Sequence, residues 1–363
     1  MTHRIYNFAP GPAMLPAPVM ERVREEFLDF RGLGVSVVEI SHRSREFEAL
    51  LAETDVLLRE LMGLPAQYHV LYCHGGAAMQ FAAVPLNLMG RVLSRSADYF
   101  DTGNFAARAI EEGRRYGTVN VVASSADTGH DRIPHHDAAD LNPDAAYVYI
   151  ASNNTIYGTQ WHRFPETNDV PLVSDATSDI LSRVIDISRF GVVFAGAQKN
   201  LGSAGMAVVI VREDLIGHAG PHTPNLLNYQ TYFKDHSLTN TPNTFSIYTT
   251  QLTLEWLSER GGVAAIEQVN RKKADRLYGV IDRCGFYRGF ALPEHRSITN
   301  VTFDLPTAGL LARFLEEALD NGLYALQGHR ALGGVRASIY NAMPLEGVEA
   351  LAGYMEEFER RNG

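Results

Sequence analysis

The chain has 363 residues, 45% of them hydrophobic and 20% charged, which is enough apolar material for more than one buried core and leaves little room for disorder. Its formal net charge of −10 argues against a general nucleic-acid surface, which needs clustered Lys and Arg, although a local Arg cluster can still hold a small anion. The two cysteines, Cys73 and Cys284, lack any CxxC or Cys/His metal spacing, the first residues lack the apolar stretch of a secretory signal, and no run suits a membrane helix, so a cytoplasmic protein with reduced thiols and no bound metal is expected.

In chain order, Pro10, Pro12, Pro16 and Pro18 mark an extended N-terminal arm, residues 1–16. Residues 45–62 carry helical apolar spacing and stop at Gly63. HVLYC (69–73) predicts a strand, Gly75-Gly76 a turn, and 77–89 a helix. The rhythm repeats as ADYFD, the helical NFAARAIEEGRRYG and VNVVAS, followed by strands AAYVYIA (145–151), VPLVSD (170–175), GVVFAG (191–196) and MAVVIV (206–211). Short buried-type strands alternating with helices predict an α/β domain with a mostly parallel sheet, residues 17–258. Beyond it, a helix over 263–283 with Ile266, Val269, Leu277 and Ile281 leads to strand NVTFDL (300–305). A helix with Leu311, Phe314, Leu315 and Leu319, strand VRASIY (335–340) and a last helix from 346 complete the chain. These predict a smaller α+β domain, residues 259–363, against which the N-terminal arm packs.

Three segments carry candidate chemistry. In GVVFAGAQKNLGSAG (191–205) an apolar strand delivers Lys199 among glycines, where a desolvated amine is neutral and nucleophilic enough to attack an aldehyde. A solvated loop Lys is the competing reading, and the two are evenly matched. Asp175 ends the preceding strand, so both residues fall on the carboxyl edge of a parallel sheet, where ligands bind. A carboxylate there suits the pyridine nitrogen of pyridoxal phosphate, yet Asp-Ala-Thr-Ser alone reads first as a helix cap. In HGGAAMQFAAVPLN (74–87) a Gly-Gly turn opens a helix whose N–H groups favour phosphate, though such a turn also serves geometry alone. No GxxxxGK[ST], GxGxxG, GxSxG or HExxH pattern occurs, and His135-His136-Asp137 reads as a solvated loop. Two pairs, His42-Arg43 and His329-Arg330, with Arg336 nearby, could bind a phosphate or carboxylate, although surface solvation is the default reading for each Arg taken singly.

Together NFAPGPAMLP (7–16), SHRSREF (41–47), HGGAAMQFAAVPLN, SDATSDILSR (174–183), AGAQKNLG (195–202), NTPNTF (240–245) and GHRALGGVRASIYNAMPLEGV (328–348) closely resemble the phosphoserine aminotransferases, nearly end to end. This resemblance implies a fold-type I, class-V transaminase whose large domain holds a mostly parallel seven-stranded sheet. Lys199 would hold pyridoxal 5'-phosphate as a Schiff base and act as general base, with Asp175 at the ring nitrogen. Thr155 would meet the ring hydroxyl and Phe105, where many members have Trp, would stack on the ring. The backbone of Ala77 and Ala78 with Gln198 would take the phosphate. Asn240 and Thr241 would reach the cofactor of a partner subunit, which implies a homodimer. His42, Arg43, His329 and Arg330 would bind the substrate phosphate or side-chain carboxylate, and Arg336 the α-carboxylate.

The implied reaction is reversible amino transfer from L-glutamate to 3-phosphohydroxypyruvate, giving O-phospho-L-serine and 2-oxoglutarate in serine biosynthesis. A related phosphorylated oxo-acid of vitamin B6 synthesis is a further candidate substrate. Beside it stand an alanine–glyoxylate-type aminotransferase or cysteine desulfurase of the same fold, and a non-catalytic α/β binding protein.

Overall fold

In the computed structural model, which describes residues 4–363 and Cys284 by its backbone alone, the chain opens on strand β1 (Tyr6–Asn7) and helix α1 (Ala17–Glu26). The helix begins just past the arm, and of the four prolines only Pro18 falls inside it. Pro18 sits in the first helical turn, where a missing N–H breaks no helical bond. Helix α2 (Arg45–Met62) starts where the Ser44 hydroxyl accepts from Phe47 N and stops at left-handed Gly63.

Strands β2 (Tyr68–His74), β3 (Ser96–Asp101), β4 (Thr118–Ser124), β5 (Val148–Ala151), β6 (Leu172–Asp175), β7 (Val192–Gly196) and β8 (Met206–Arg212) form a seven-stranded sheet among the described residues. Helices α3 (Ala77–Leu88) and α4 (Asn104–Gly113) connect its first strands. The order is β2-β8-β7-β6-β5-β3-β4, and only β8 runs against its neighbours. Successive side chains enter opposite cores: Val193 and Ala195 face one, Val192 and Phe194 the other. Both faces are covered, which explains the continuous apolar runs in sequence. The carboxyl ends of β2, β3, β5, β6 and β7 consequently share one edge.

Helices α5 (Tyr229–Lys234) and α6 (Thr244–Glu259) come next. Helix α6 is buried nearly all round, with Thr249, Thr250, Gln251 and Thr253 in its interior, so no apolar stripe announced it. Helix α7 (Gly262–Cys284) runs from one core into another: Val263 and Ile266 pack with the large sheet, Leu277 and Ile281 with the C-terminal core. In that C-terminal unit, β9 (Arg288–Gly289), β10 (Asn300–Asp304) and β12 (Val335–Ser338) make an antiparallel sheet. It is packed by α8 (Ala308–Asp320) and α9 (Leu345–Asn362), and strand β11 (Leu323–Tyr324) pairs in parallel with β1. Phe8 from the arm is buried in this same core. Val269 and Leu319, which fit the apolar spacing, point outward instead. No helix among the described residues is long and apolar enough to cross a membrane.

Candidate active site

Beyond Gly196, the turn at the end of β7 closes on itself: Leu201 N and Gly202 N both donate to Ala197 O, at 3.3 and 2.8 Å. This turn presents Lys199, which is buried although it carries an amine. The N-terminal arm covers its stem. Gly11 has φ +142°, and a Cβ there would lie 3.3 Å from Gln198 Cγ and 3.4 Å from Lys199 Cγ, so only glycine lets the arm approach this closely. Lys199 Nζ donates to Thr155 Oγ1 at 2.5 Å, and the Phe105 and Tyr340 ring centroids lie 5.8 and 6.0 Å from it.

Asp175, at the end of neighbouring β6, is buried. Its Oδ1 accepts from Thr177 N at 3.0 Å and Thr177 Oγ1 at 2.5 Å, and Thr177 Oγ1 in turn accepts from Gly196 N at 3.2 Å. One carboxylate oxygen is thus spent on the turn, in keeping with the capping role its sequence suggests. The other, Oδ2, receives no donor among the described residues. Burial pushes the Asp175 carboxyl above the ordinary range; Thr177 and the Lys199 charge oppose this, and Asp179 reinforces it.

Thr155 belongs to the wholly buried stretch after β5. Asn154 pins that stretch to the end of β3 by donating to Thr102 O at 2.5 Å. Gly103, at φ +143°, begins α4 beneath the Tyr157 ring, only 2.8 Å from where a Cβ would stand. Tyr157 Oη donates to Asn104 Oδ1 at 2.5 Å, which fixes the first turn of α4 and with it Phe105.

Helix α3 starts at Ala77 on Gly76 with no side-chain cap, so its leading N–H groups, those of Ala77 and Ala78, are open donors beside the positive end of the helix. Gln198 is half-buried, accepts from Ala13 N at 2.9 Å, and folds its amide over Gly196.

Arg336 lies on β12 opposite Thr302, is 6% exposed, and has no hydrogen-bond partner at Nε. Burial lowers its proton affinity, against a raising influence of Tyr340. A buried guanidinium with a free edge fits an incoming carboxylate. His329 and exposed Arg330 stand on the loop before β12, where His329 Nδ1 accepts from Ala331 N at 3.1 Å. Burial and then the charges of Arg336 and Arg330 push His329 down, so the two guanidinium groups and this imidazole are neighbours.

His42 is half-buried with an unpartnered Nε2, and Arg43 is exposed just ahead of α2. Asn240 Oδ1 pairs with His74 Nε2 at 2.8 Å, beside the Gly75-Gly76 turn, and Thr241 is exposed. Among the described residues, no hydrogen bond or ion pair ties His42, Arg43, Asn240 or Thr241 to the Lys199 cluster within one protomer. The residues the spacing did not single out are Thr177, Tyr157 and Tyr340. Tyr340 Oη donates to Pro10 O at 2.9 Å and accepts from Asn300 at 3.2 Å, joining the arm to the second sheet.

An amine, an aromatic face, a carboxylate with one spare oxygen and an uncapped helix start meet the needs of pyridoxal phosphate at its aldehyde, ring, ring nitrogen and phosphate.

Comparison with known proteins agrees. The aminotransferase class-V family model matches residues 5–351. A phosphoserine aminotransferase of Desulfosudis oleivorans is 51% identical over 365 residues, spanning 100% of both chains. Among solved structures, phosphoserine aminotransferase from Bacillus circulans subsp. alkalophilus is similar with a TM-score of 0.95 at 45% identity over 99% of each chain. A pyridoxal-phosphate-bound phosphoserine aminotransferase from Trichomonas vaginalis matches with a TM-score of 0.91 at 35% identity, covering 97% of this chain and 100% of the other.

Proposed function

The chain belongs to the class-V aminotransferases, and on that premise we propose how its residues carry out phosphoserine amino transfer. It is a pyridoxal-phosphate-dependent transaminase that moves the amino group of L-glutamate to 3-phosphohydroxypyruvate, reversibly, with serine biosynthesis as its role. When bound, pyridoxal phosphate supplies an aldehyde and an electron-accepting pyridinium ring. The chain's own residues do the rest. Lys199 provides the amine that attaches the cofactor and the base that moves the substrate Cα proton. Asp175 turns its spare oxygen to the ring nitrogen, Thr155 meets the ring hydroxyl, Phe105 covers the ring, and Gln198 with the Ala77 and Ala78 N–H groups holds the phosphate. Arg336 orients the substrate α-carboxylate. His329 and Arg330, with His42 and Arg43, take either a phosphate or a γ-carboxylate, which lets one pocket serve both half-reactions.

In this reading residues 17–258 hold the cofactor, residues 259–363 bring Arg336 to it, and the arm 1–16 closes against the latter. Two chains form the working unit, because His42, Arg43, Asn240 and Thr241 have no tie to their own Lys199. The exposed run Phe27, Leu28, Leu33, Val35 and Val38, just ahead of His42, supports an interface there. The cytoplasm is the proposed compartment.

One observation carries the reading: Lys199 Nζ lies 2.5 Å from Thr155 Oγ1 and 5.8 Å from the Phe105 ring centroid, at the strand edge that also bears Asp175. Purified protein given glutamate and 3-phosphohydroxypyruvate in a coupled assay must form 2-oxoglutarate, and unphosphorylated hydroxypyruvate must serve far less well. Equal use of both oxo-acids overturns the phosphate-binding role of the His-Arg pairs.

A further inference from the structure

A second carboxylate, Asp179, is buried one turn beyond Asp175 and forms an ion pair with Arg183, Nη2 to Oδ2 at 3.2 Å, with side chains 4% and 8% exposed. Ser152 and Gln160 complete its shell: Ser152 Oγ donates to Oδ1 at 2.5 Å and Gln160 Nε2 to Oδ2 at 3.2 Å. Ser152 also ties this group to the first carboxylate's backbone, since its N–H donates to Asp175 O at 3.0 Å. Arg183 is fixed by donating to Trp161 O at 2.7 Å and by lying 5.2 Å from the Phe164 ring centroid. A buried acid held only to position a loop does not need a buried guanidinium, since hydroxyl and amide donors suffice for a neutral residue such as Asn. Two carboxylates joined through Ser152 in a dry site compete for protons, and the charge of Asp179 adds the smallest of the influences on Asp175, in the upward direction.

We propose that Arg183 and Asp179 form a tuning pair behind Asp175, in which the guanidinium cancels the second negative charge so that Asp175 stays an anion toward the cofactor's ring nitrogen. The proposal rests on the cofactor reading of this site. Arg183 acts through Asp175 and touches neither substrate nor cofactor.

The test strips the full-length protein of cofactor and measures the affinity for pyridoxal phosphate against that for an analogue with carbon in place of the ring nitrogen. Arg183→Met keeps the apolar stem over Phe164. It lowers the ratio of the two affinities about tenfold, because Asp175 then holds its proton more tightly against the ring nitrogen. Arg183→Met combined with Asp179→Asn returns the ratio to the wild-type value, because the charge that Arg183 cancels is gone. Equal weakening of cofactor and analogue in the single variant, or no recovery in the double, overturns the pair's role. If Arg183→Met does not fold, Asp179→Asn alone decides: the ratio must rise, and an unchanged or lower ratio overturns the proposal. Failure of the wild-type protein to bind the cofactor at all overturns the functional reading, and the tuning pair with it.

Discussion

Lys199 Nζ donates to Thr155 Oγ1 at 2.5 Å, so the amine at the end of β7 is held by a hydroxyl from the loop after β5, across the strand that ends in Asp175. The amine held this way also lies 5.8 Å from the Phe105 ring centroid and 6.0 Å from that of Tyr340, with no carboxylate in an ion pair with it among the described residues. Such an arrangement suits a nucleophile better than a structural cation.

Removal of that amine gives the first prediction. Lys199→Ala lowers kcat by on the order of a thousandfold or more, the worth of a positioned nucleophile and base together. Steady-state kinetics at saturating glutamate checks it. Borohydride treatment of the wild-type protein, followed by peptide mass analysis, places the cofactor on Lys199 and on no other lysine.

Asp175 should be needed by the reaction and resented by the fold. Asp175→Asn lowers kcat by about a hundredfold or more, yet it raises the unfolding free energy of the cofactor-free protein by on the order of 1 kcal/mol, because a buried charge is replaced by a neutral acceptor for Thr177. The sign comes from the direction of the shift. A carboxyl raised in the fold binds its proton more tightly there than in the unfolded chain, so its burden is fully present above the raised value and disappears as pH falls toward the ordinary 3.8. Denaturant melts at neutral and acid pH check this: the advantage of Asn must shrink on acidification.

Arg336 offers a free buried Nε, and its loss should affect both half-reactions. Arg336→Ala raises KM for glutamate and for 3-phosphohydroxypyruvate alike, each by roughly tenfold to a hundredfold, the worth of a charge-assisted bidentate contact. An effect confined to one substrate contradicts a shared α-carboxylate clamp.

Lys273, on α7, is wholly buried with Nζ within hydrogen-bond distance of three carbonyls, Ile339 O at 3.0 Å, Tyr340 O at 2.8 Å and Met343 O at 3.0 Å, all three of which only the protonated amine can serve at once. Lys273→Met fills the space but leaves those oxygens without donors. It should cost about 2 kcal/mol in unfolding free energy and raise KM, since Tyr340 and Asn341 lie in the clasped turn. Burial pushes the Lys273 amine down to about 7 from 10.5. Between these values the unfolded chain binds the extra proton, so wild-type stability rises with pH across that window. The variant, lacking the group, should lose that rise in urea melts.

Much of this was legible in the sequence because strand ends are marked by chemistry. VPLVSD and GVVFAG end where apolar residues give way to Asp175 and to the turn bearing Lys199, and a parallel sheet places both on one edge. The reversed direction of β8 was not legible, since MAVVIV is as apolar as its parallel neighbours when both faces are covered. Helix α1 was hidden by its prolines, and α6 by buried threonines that erase the helical stripe. Asp175 shows why one residue supported two readings: Oδ1 caps the turn, as one reading expects, and Oδ2 is left over for the ring nitrogen that the other proposes. Arg183 and Asp179 gave no signal, because charged residues four apart read as a solvated helical pair until burial is known.

The pairing of Tyr6 with Leu323 has a consequence for how the molecule is made. Strand β1 has to wait for a partner synthesised more than three hundred residues later. Until then the segment that roofs Lys199 lacks its strand partner and is held to the large domain by the bond from Ala13 N to Gln198 O. The strands of the large sheet are all made by residue 212, whereas the partner of β1 follows only at Leu323.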